Sequence, residues 1–202
     1  MRNNILILVF LCITASSCIK MKLEETYSKQ ETRIDDYLSK NITMQRDSIA
    51  IEKDPETGEE VEKVVKYTDT LRFVYNGGAA RLVKNEGMGE ELNERGAVSF
   101  YYAGYLFNGS INKSNLFVTN HSQSAAEAGW TLTDEEAKVL TINLNDHELI
   151  PGLKNGLVGV KGGEECQILF TGKYGFGKKA FGIIPANSAL VYRIWVESIS
   201  ND

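Results

Sequence analysis

The chain has 202 residues, enough for one globular domain with extensions or for two small domains. Apolar residues make up 43% of it and charged residues 24%, as in a folded soluble protein. A net charge of -5 with no local cluster of lysine or arginine excludes a nucleic-acid partner, whose phosphates require a basic patch.

The N-terminal stretch "MRNNILILVFLCITASSC" has one early positive charge, Arg2, then an apolar run from Ile5 to Ile13 and small residues before Cys18. The run is shorter than the roughly 20 residues that span a bilayer, so it reads as a secretory signal. "ASSC" resembles a bacterial lipobox, with Ala15 where leucine is usual. That resemblance implies a signal over residues 1–18 and a lipid on Cys18, the first residue of the mature protein. An ordinary signal peptide cut near Ser17 is the competing reading. Each buried CH₂ contributes about 0.8 kcal/mol, so several acyl chains on one cysteine anchor a protein stably. The expected location is the bacterial envelope, lipid-anchored to a membrane, the outer membrane first. Cys12 leaves with the signal, so Cys166 in "EECQILF" is the remaining thiol. It lies on an alternating strand and is expected to be a buried packing residue.

Residues 19–73 are predicted to form an extension. "IKMKLEETYSKQETRIDDYLSKNITMQ" lacks glycine and proline and is rich in helix formers, with Leu23, Tyr27, Ile34 and Leu38 on one face. Next, Ile49 and Ile51, then Val61 and Val64, flank "DPETG", whose proline and glycine suit a turn. This predicts a β-hairpin with acidic flanks, read as a solvated face rather than a metal cage.

From Arg72 onward the pattern is strands. "LRFVYNG" and "ARLVKNEG" form an opening strand or hairpin, and "GAVSFYYAGYL" alternates Val98, Phe100 and Tyr102. "VLTINLND" alternates Leu140, Ile142 and Leu144. In "ELIPGLKNGLVGV" the period changes, and Ile150, Leu153 and Leu157 fall on one side of a short helix with Pro151 near its first turn. "ECQILFTG" and "SALVYRIWVESI" return to period two. Strands with a single short helix predict an α+β domain whose mostly antiparallel sheet is covered by that helix.

The glycine-rich stretch "YGFGKKAFGIIPANSALVY", 174–192, contains most of a P-loop pattern in "GKYGFGKK". A P-loop needs serine or threonine where Lys179 stands, and a helix to follow, because the helix N-terminus binds the anion. A proline and a strand follow instead, so the phosphate reading fails. Metal and hydrolytic chemistry are also unsupported, since His121 and His147 stand at no ligand spacing and no nucleophile motif is present. No cofactor and no metal are expected.

"YG", a glycine-rich loop, "GIIP", "N" and an apolar strand resemble the end of an FK506-binding-protein (FKBP) type peptidyl-prolyl isomerase domain. Upstream, "VSFYYAGYLFNG" resembles that family's V-x-Y-x-G strand, and "ELIPGLKNGLVGVKGGEECQILF" its V-I-x-G-W helix and following turn and strand. The domain is placed at 74–202. The resemblance implies a curved antiparallel β-sheet wrapped around one short α-helix, with an apolar pocket that receives a peptide proline. It assigns Tyr102, Ile150 and Tyr174 to catalysis, Ile150 through its backbone N–H and Tyr174 through its hydroxyl. Phe117, Leu149, Leu153, Ile184 and Tyr192 are assigned to the substrate-binding walls.

Departures from the pattern are also legible. Leu153 replaces the family's tryptophan, Leu140 a phenylalanine, and Tyr192 its usual phenylalanine. The F-D-[ST]-[NS] motif is matched by "FVTN", Phe117 to Asn120, which puts Val118 in place of an aspartate; "INKS" is the other match. The segment "HSQSAAEAGWTLTDEEAK" is long, and its Trp130 is a candidate to refill the space of the lost tryptophan. Two functions stand. One is an anchored isomerase or folding helper acting on proline-containing segments of unfolded exported proteins. The other is a noncatalytic module that holds a client or partner in an envelope complex.

Overall fold

The structure is a computed structural model describing residues 2–54, 59–145 and 148–201, with side chains from Lys20 onward. Helix α1, Arg2–Asn41, starts well before the expected residue 19 and ends four residues short of 45. The side chain of Cys18, the expected lipid site, lies outside the described residues. Among the described residues no helix is long and apolar enough to cross a membrane.

Strands β1 (Thr43–Lys53) and β2 (Glu60–Thr70) form the predicted hairpin, with Ile49 opposite Val64, as a separate two-stranded sheet. Its turn, 55–58, is outside the described residues. Arg46 ties the hairpin to the main body, donating from Nη2 to the Lys84 carbonyl (2.6 Å) while its Nε pairs with Asp69 (2.7 Å).

The main sheet contains β3 (Phe73–Asn76), β4 (Ala79–Asn85), β5 (Ala97–Leu106), β6 (Leu116–Thr119), β7 (Leu140–Asn143), β8 (Glu165–Phe170) and β9 (Leu190–Ser200). Their order is β3-β4-β8-β9-β5-β6, with β7 also paired to β5, and every pairing is antiparallel. The sheet is open and wraps around helix α3, Pro151–Leu157. Alternation sends Cys166, Ile168 and Phe170 of β8 inward, with Phe100, Leu157, Tyr192 and Ile194, while Leu169 faces the opposite side. Cys166 is a fully buried packing residue, and burial holds its thiol well above its ordinary range.

Both faces of the sheet are covered. On the outer face, Ile34 and Leu38 of α1 pack with Leu82, Leu169 and Val191. Fully burying each of these side chains stabilises by about 1.5–3 kcal/mol, so α1 is held by its apolar stripe rather than by propensity. On the inner face α3 lies close against β8. A Cβ at Gly152 would stand 2.2 Å from the Phe170 ring, and one at Gly156 2.1 Å from Ile168, so glycine is required at both positions. Pro151 opens the helix where a missing N–H costs little. Arg81 closes its far end, donating to the carbonyls of Gly156, Val158 and Gly159 at 3.1, 2.7 and 3.0 Å.

The sheet wraps around one short helix, as expected, and the insertion adds another. This second helix, α2 (Ser122–Glu127), is capped by His121, whose Nδ1 accepts from the Ser124 N–H. Its six residues, SQSAAE, carry no apolar side chain larger than alanine, so no apolar period announced it.

Candidate functional site

Between α3 and the inner face of the sheet lies a cleft of about 660 Å³. Tyr102 and Phe100 reach it from β5, Phe117 and Val118 from β6, and Leu140 and Ile142 from β7. Tyr192 comes from β9, Leu149 and Leu153 from the start of α3 and the residues before it, and Ile183 and Ile184 from the loop before β9. Period-two alternation puts Phe100, Tyr102 and Tyr192 on the same face of adjacent strands, because Tyr102 pairs with Ile194. Leu153, 8% exposed, forms the floor where the resemblance expected a tryptophan.

Tyr192 is the centre of the aromatic wall. Phe170 stacks on it at 6.0 Å, Phe117 meets it edge-on at 5.8 Å, and Tyr102 lies 6.5 Å away. Among the described residues lining the cleft, none carries a charge at neutral pH. Burial pushes the Tyr102 hydroxyl above its ordinary range, and burial followed by the neighbouring Tyr102 pushes Tyr192 further up. Both hydroxyls therefore stay protonated and able to donate in an otherwise apolar site.

Six of the expected residues line the cleft: Tyr102, Phe117, Leu149, Leu153, Ile184 and Tyr192. Tyr174 does not. Its backbone is fixed by a turn to Thr171 (3.0 Å) and by the Gly152 N–H donating to its carbonyl (2.8 Å), and its ring lies over Gly78, where a Cβ would stand 2.1 Å away. The missing side chain at Gly78 offers the ring a seat, from which it packs against the inner core cluster. The Ile150 side chain packs against the inner core without lining the cleft. Its N–H, the group the resemblance assigned, makes no hydrogen bond to a described residue and lies next to the lining Leu149.

Phe117 and Val118 both line the cleft, whereas Ile111 of "INKS" packs on the outer-face cluster. Trp130 of the insertion stands in the cleft wall. The insertion is tied down by Asn120, which is 5% exposed. Its Oδ1 accepts from the Tyr102 N–H (2.6 Å) and its Nδ2 donates to the Lys138 carbonyl (2.9 Å), drawing both ends of the segment onto β5. Sequence reasoning missed Asn120, and also Phe176 and Phe181, which stack in parallel at 4.7 Å on the rim. Two phenylalanines inside a glycine-rich loop were the available signal. Among the described residues no group of three or more His, Cys, Asp or Glu side chains is placed to hold a metal.

An open antiparallel sheet wraps around a short helix, with an aromatic and aliphatic cleft between them. Residues 89–197 match the family described as FKBP-type peptidyl-prolyl cis-trans isomerase, and the chain belongs to that family. It is 28% identical over 118 residues to FK506-binding protein 1 of Aspergillus oryzae, covering 58% of this chain and 94% of that protein. It is 26% identical over 127 residues to the FKBP-type peptidyl-prolyl cis-trans isomerase FkpA of Buchnera aphidicola, covering 62% of this chain and 42% of that protein. The chain also spans only 33% of a similar peptidyl-prolyl cis-trans isomerase of Saccharomyces cerevisiae. In fold it is similar to the crystal structure of FkpA from Escherichia coli, with a TM-score of 0.50, 19% identity and coverage of 96% of this chain and 70% of that one.

Proposed function

We propose that the chain is a peptidyl-prolyl isomerase that acts on apolar, proline-containing segments of unfolded exported proteins while lipid on Cys18 holds it to a membrane. The observation that carries the catalytic part is the uncharged cleft walled by Tyr102, Phe117, Leu149, Leu153, Ile184 and Tyr192 in a member of the isomerase family. An X-Pro bond isomerises in tens to hundreds of seconds unaided. Twisting the amide breaks its resonance and makes it less polar, so an apolar cleft penalises the twisted form less than the planar one. Each 1.36 kcal/mol of that preference gives tenfold in rate. The Tyr102 and Tyr192 hydroxyls, the Trp130 indole N–H and the Ile150 N–H are donors available to orient the flanking carbonyls. No covalent step is involved.

A noncatalytic binding module is the second reading, favoured by Val118 in the place of the family's aspartate. The exposed rim supports it too, since Phe181 and Ile183 are 62% and 70% exposed and offer a sticky edge to an unfolded chain.

Refolding of a denatured protein whose slow phase is limited by proline isomerisation tests the proposal. Acceleration of that phase at substoichiometric amounts of the chain supports an isomerase. Arrest of refolding at equimolar amounts, without acceleration, supports the holding module. The anchor has its own test: Cys18→Ala is expected to move the protein to the soluble fraction, and unchanged membrane partitioning would contradict the lipid.

A further inference from the structure

Residues Gly172 to Asn187 form an Ω-like loop that carries Phe176, Phe181, Ile183 and Ile184 to the cleft. Its neck is narrow. A Cβ on Gly172 would stand 2.3 Å from the backbone of Asn187, and Asn187 itself is held at φ +61, which a non-glycine residue adopts at a cost. Gln30, on the buried stripe of α1 and 9% exposed, bridges the two sides of this neck. Its Oε1 accepts from the Gly172 N–H at 2.9 Å, and its Nε2 donates to the Asn187 carbonyl at 2.7 Å. One helical turn earlier, the Tyr27 hydroxyl donates to Asn187 Oδ1 at 2.8 Å. Inside the loop, the Asn187 N–H donates to the Gly177 carbonyl at 2.6 Å. Both Gln30 and Tyr27 lie outside the matched residues 89–197.

We infer that α1 is a working part of the cleft: Gln30, supported by Tyr27, is a positioning residue that ties shut the neck of the loop forming the cleft's outer wall. The inference rests on the cleft being the peptide site proposed above. The physical reason is that Gly172 is buried, so its N–H has no water to turn to when Gln30 is absent. Without the bridge the neck opens, and the wall carrying Phe176 and Phe181 loses its fixed distance from Leu153 and Tyr192. Substrate binding then weakens while the floor of the cleft, built by the sheet and α3, is untouched.

The test compares Gln30→Ala, Gln30→Glu and Tyr37→Phe in the full chain. Tyr37→Phe removes another bond from α1 to the sheet, its 2.8 Å contact with Gln167, and leaves the neck alone. Amide hydrogen exchange is read at Gly177 and Asn187, and kcat and KM with a short apolar proline peptide. Gln30→Ala is expected to speed exchange at Asn187 and to raise KM roughly 3- to 10-fold with kcat little changed, the size two lost hydrogen bonds allow. Gln30→Glu keeps the acceptor for Gly172 but cannot donate to Asn187, so it falls between. Tyr37→Phe matches the wild type in both readouts. Unchanged loop exchange in a folded Gln30→Ala variant overturns the inference, as does an equal rise in exchange throughout the sheet. If the wild-type chain shows no catalysis, the proposed function fails, while the exchange measurement still decides the clamp.

Discussion

The rings of Phe176 and Phe181 lie within 4° of parallel, with centroids 4.7 Å apart, and join two points of one loop at the edge of the cleft. Phe181 is more than half exposed, so its burial adds little to the stability of the free protein. Its value lies in presenting an aromatic surface to an incoming segment. Phe181→Ala is therefore expected to leave the melting temperature within a few degrees of the wild type. It should weaken binding of an apolar proline peptide by roughly 2- to 10-fold, in line with an aromatic contact of about 0.5–1.5 kcal/mol. Unchanged affinity in isothermal titration would remove the loop from the binding surface.

Arg81 and Glu164 form a buried ion pair, with Nε 3.3 Å from Oε1 and side chains 4% and 0% exposed. Removing the arginine leaves a buried carboxylate without its partner and uncaps α3. Arg81→Met is expected to cost about 3–5 kcal/mol in urea unfolding. The double variant Arg81→Met/Glu164→Leu should recover part of that loss, because no charge is then stranded. A double variant less stable than Arg81→Met alone would contradict the pairing.

Period-two runs placed β5, β7, β8 and β9, and the change of period at Ile150 placed α3 with Pro151 at its start. The cleft residues Tyr102, Leu153, Ile184 and Tyr192 followed from motif resemblance, and Trp130 was singled out as a candidate to fill the space left by the lost tryptophan. Tyr174 lies outside the lining of the cleft because a motif fixes a residue's order in the chain but not where its ring finds room, which here is over Gly78. Gln30 and Arg81 were invisible for a different reason. Each acts on backbone groups more than 70 residues away, at Asn187 and at the end of α3, and polar side chains at such separations leave no periodicity. In the sequence Asn120 is only the last letter of a motif, and nothing there signals that its side chain holds the insertion against β5.

His121 provides a pH-dependent element. Its ring stacks on Trp195 at 3.8 Å, and its Nδ1 accepts the α2 cap from Ser124. Burial, and then the nearby Arg193, hold its pKa below the usual 6.5. In the window between the two values the unfolded chain binds a proton that the folded chain does not. The His121 contribution is therefore fully present above pH 6.5 and is lost as the pH falls through the lower folded value. Protonated Nδ1 also can no longer accept the cap. His121→Asn retains a capping side chain that does not titrate. It should show a shallower loss of unfolding free energy than the wild type between about pH 7 and 5. Parallel pH profiles would exclude His121 as a contributor.

The activity proposed for the cleft between α3 and the sheet is faster rotation about X-Pro bonds. Its most direct test is exchange NMR on short peptides of the form X-Pro, with X a large apolar residue, in the presence of the wild-type chain, Tyr102→Leu and Tyr174→Phe. Tyr102 lines the cleft and Tyr174 does not. Cis–trans exchange should be faster with the wild type, should fall severalfold with Tyr102→Leu, and should change little with Tyr174→Phe. Exchange at the uncatalysed rate for every peptide, with the wild-type fold intact, would contradict the proposal and leave the cleft as a holding site.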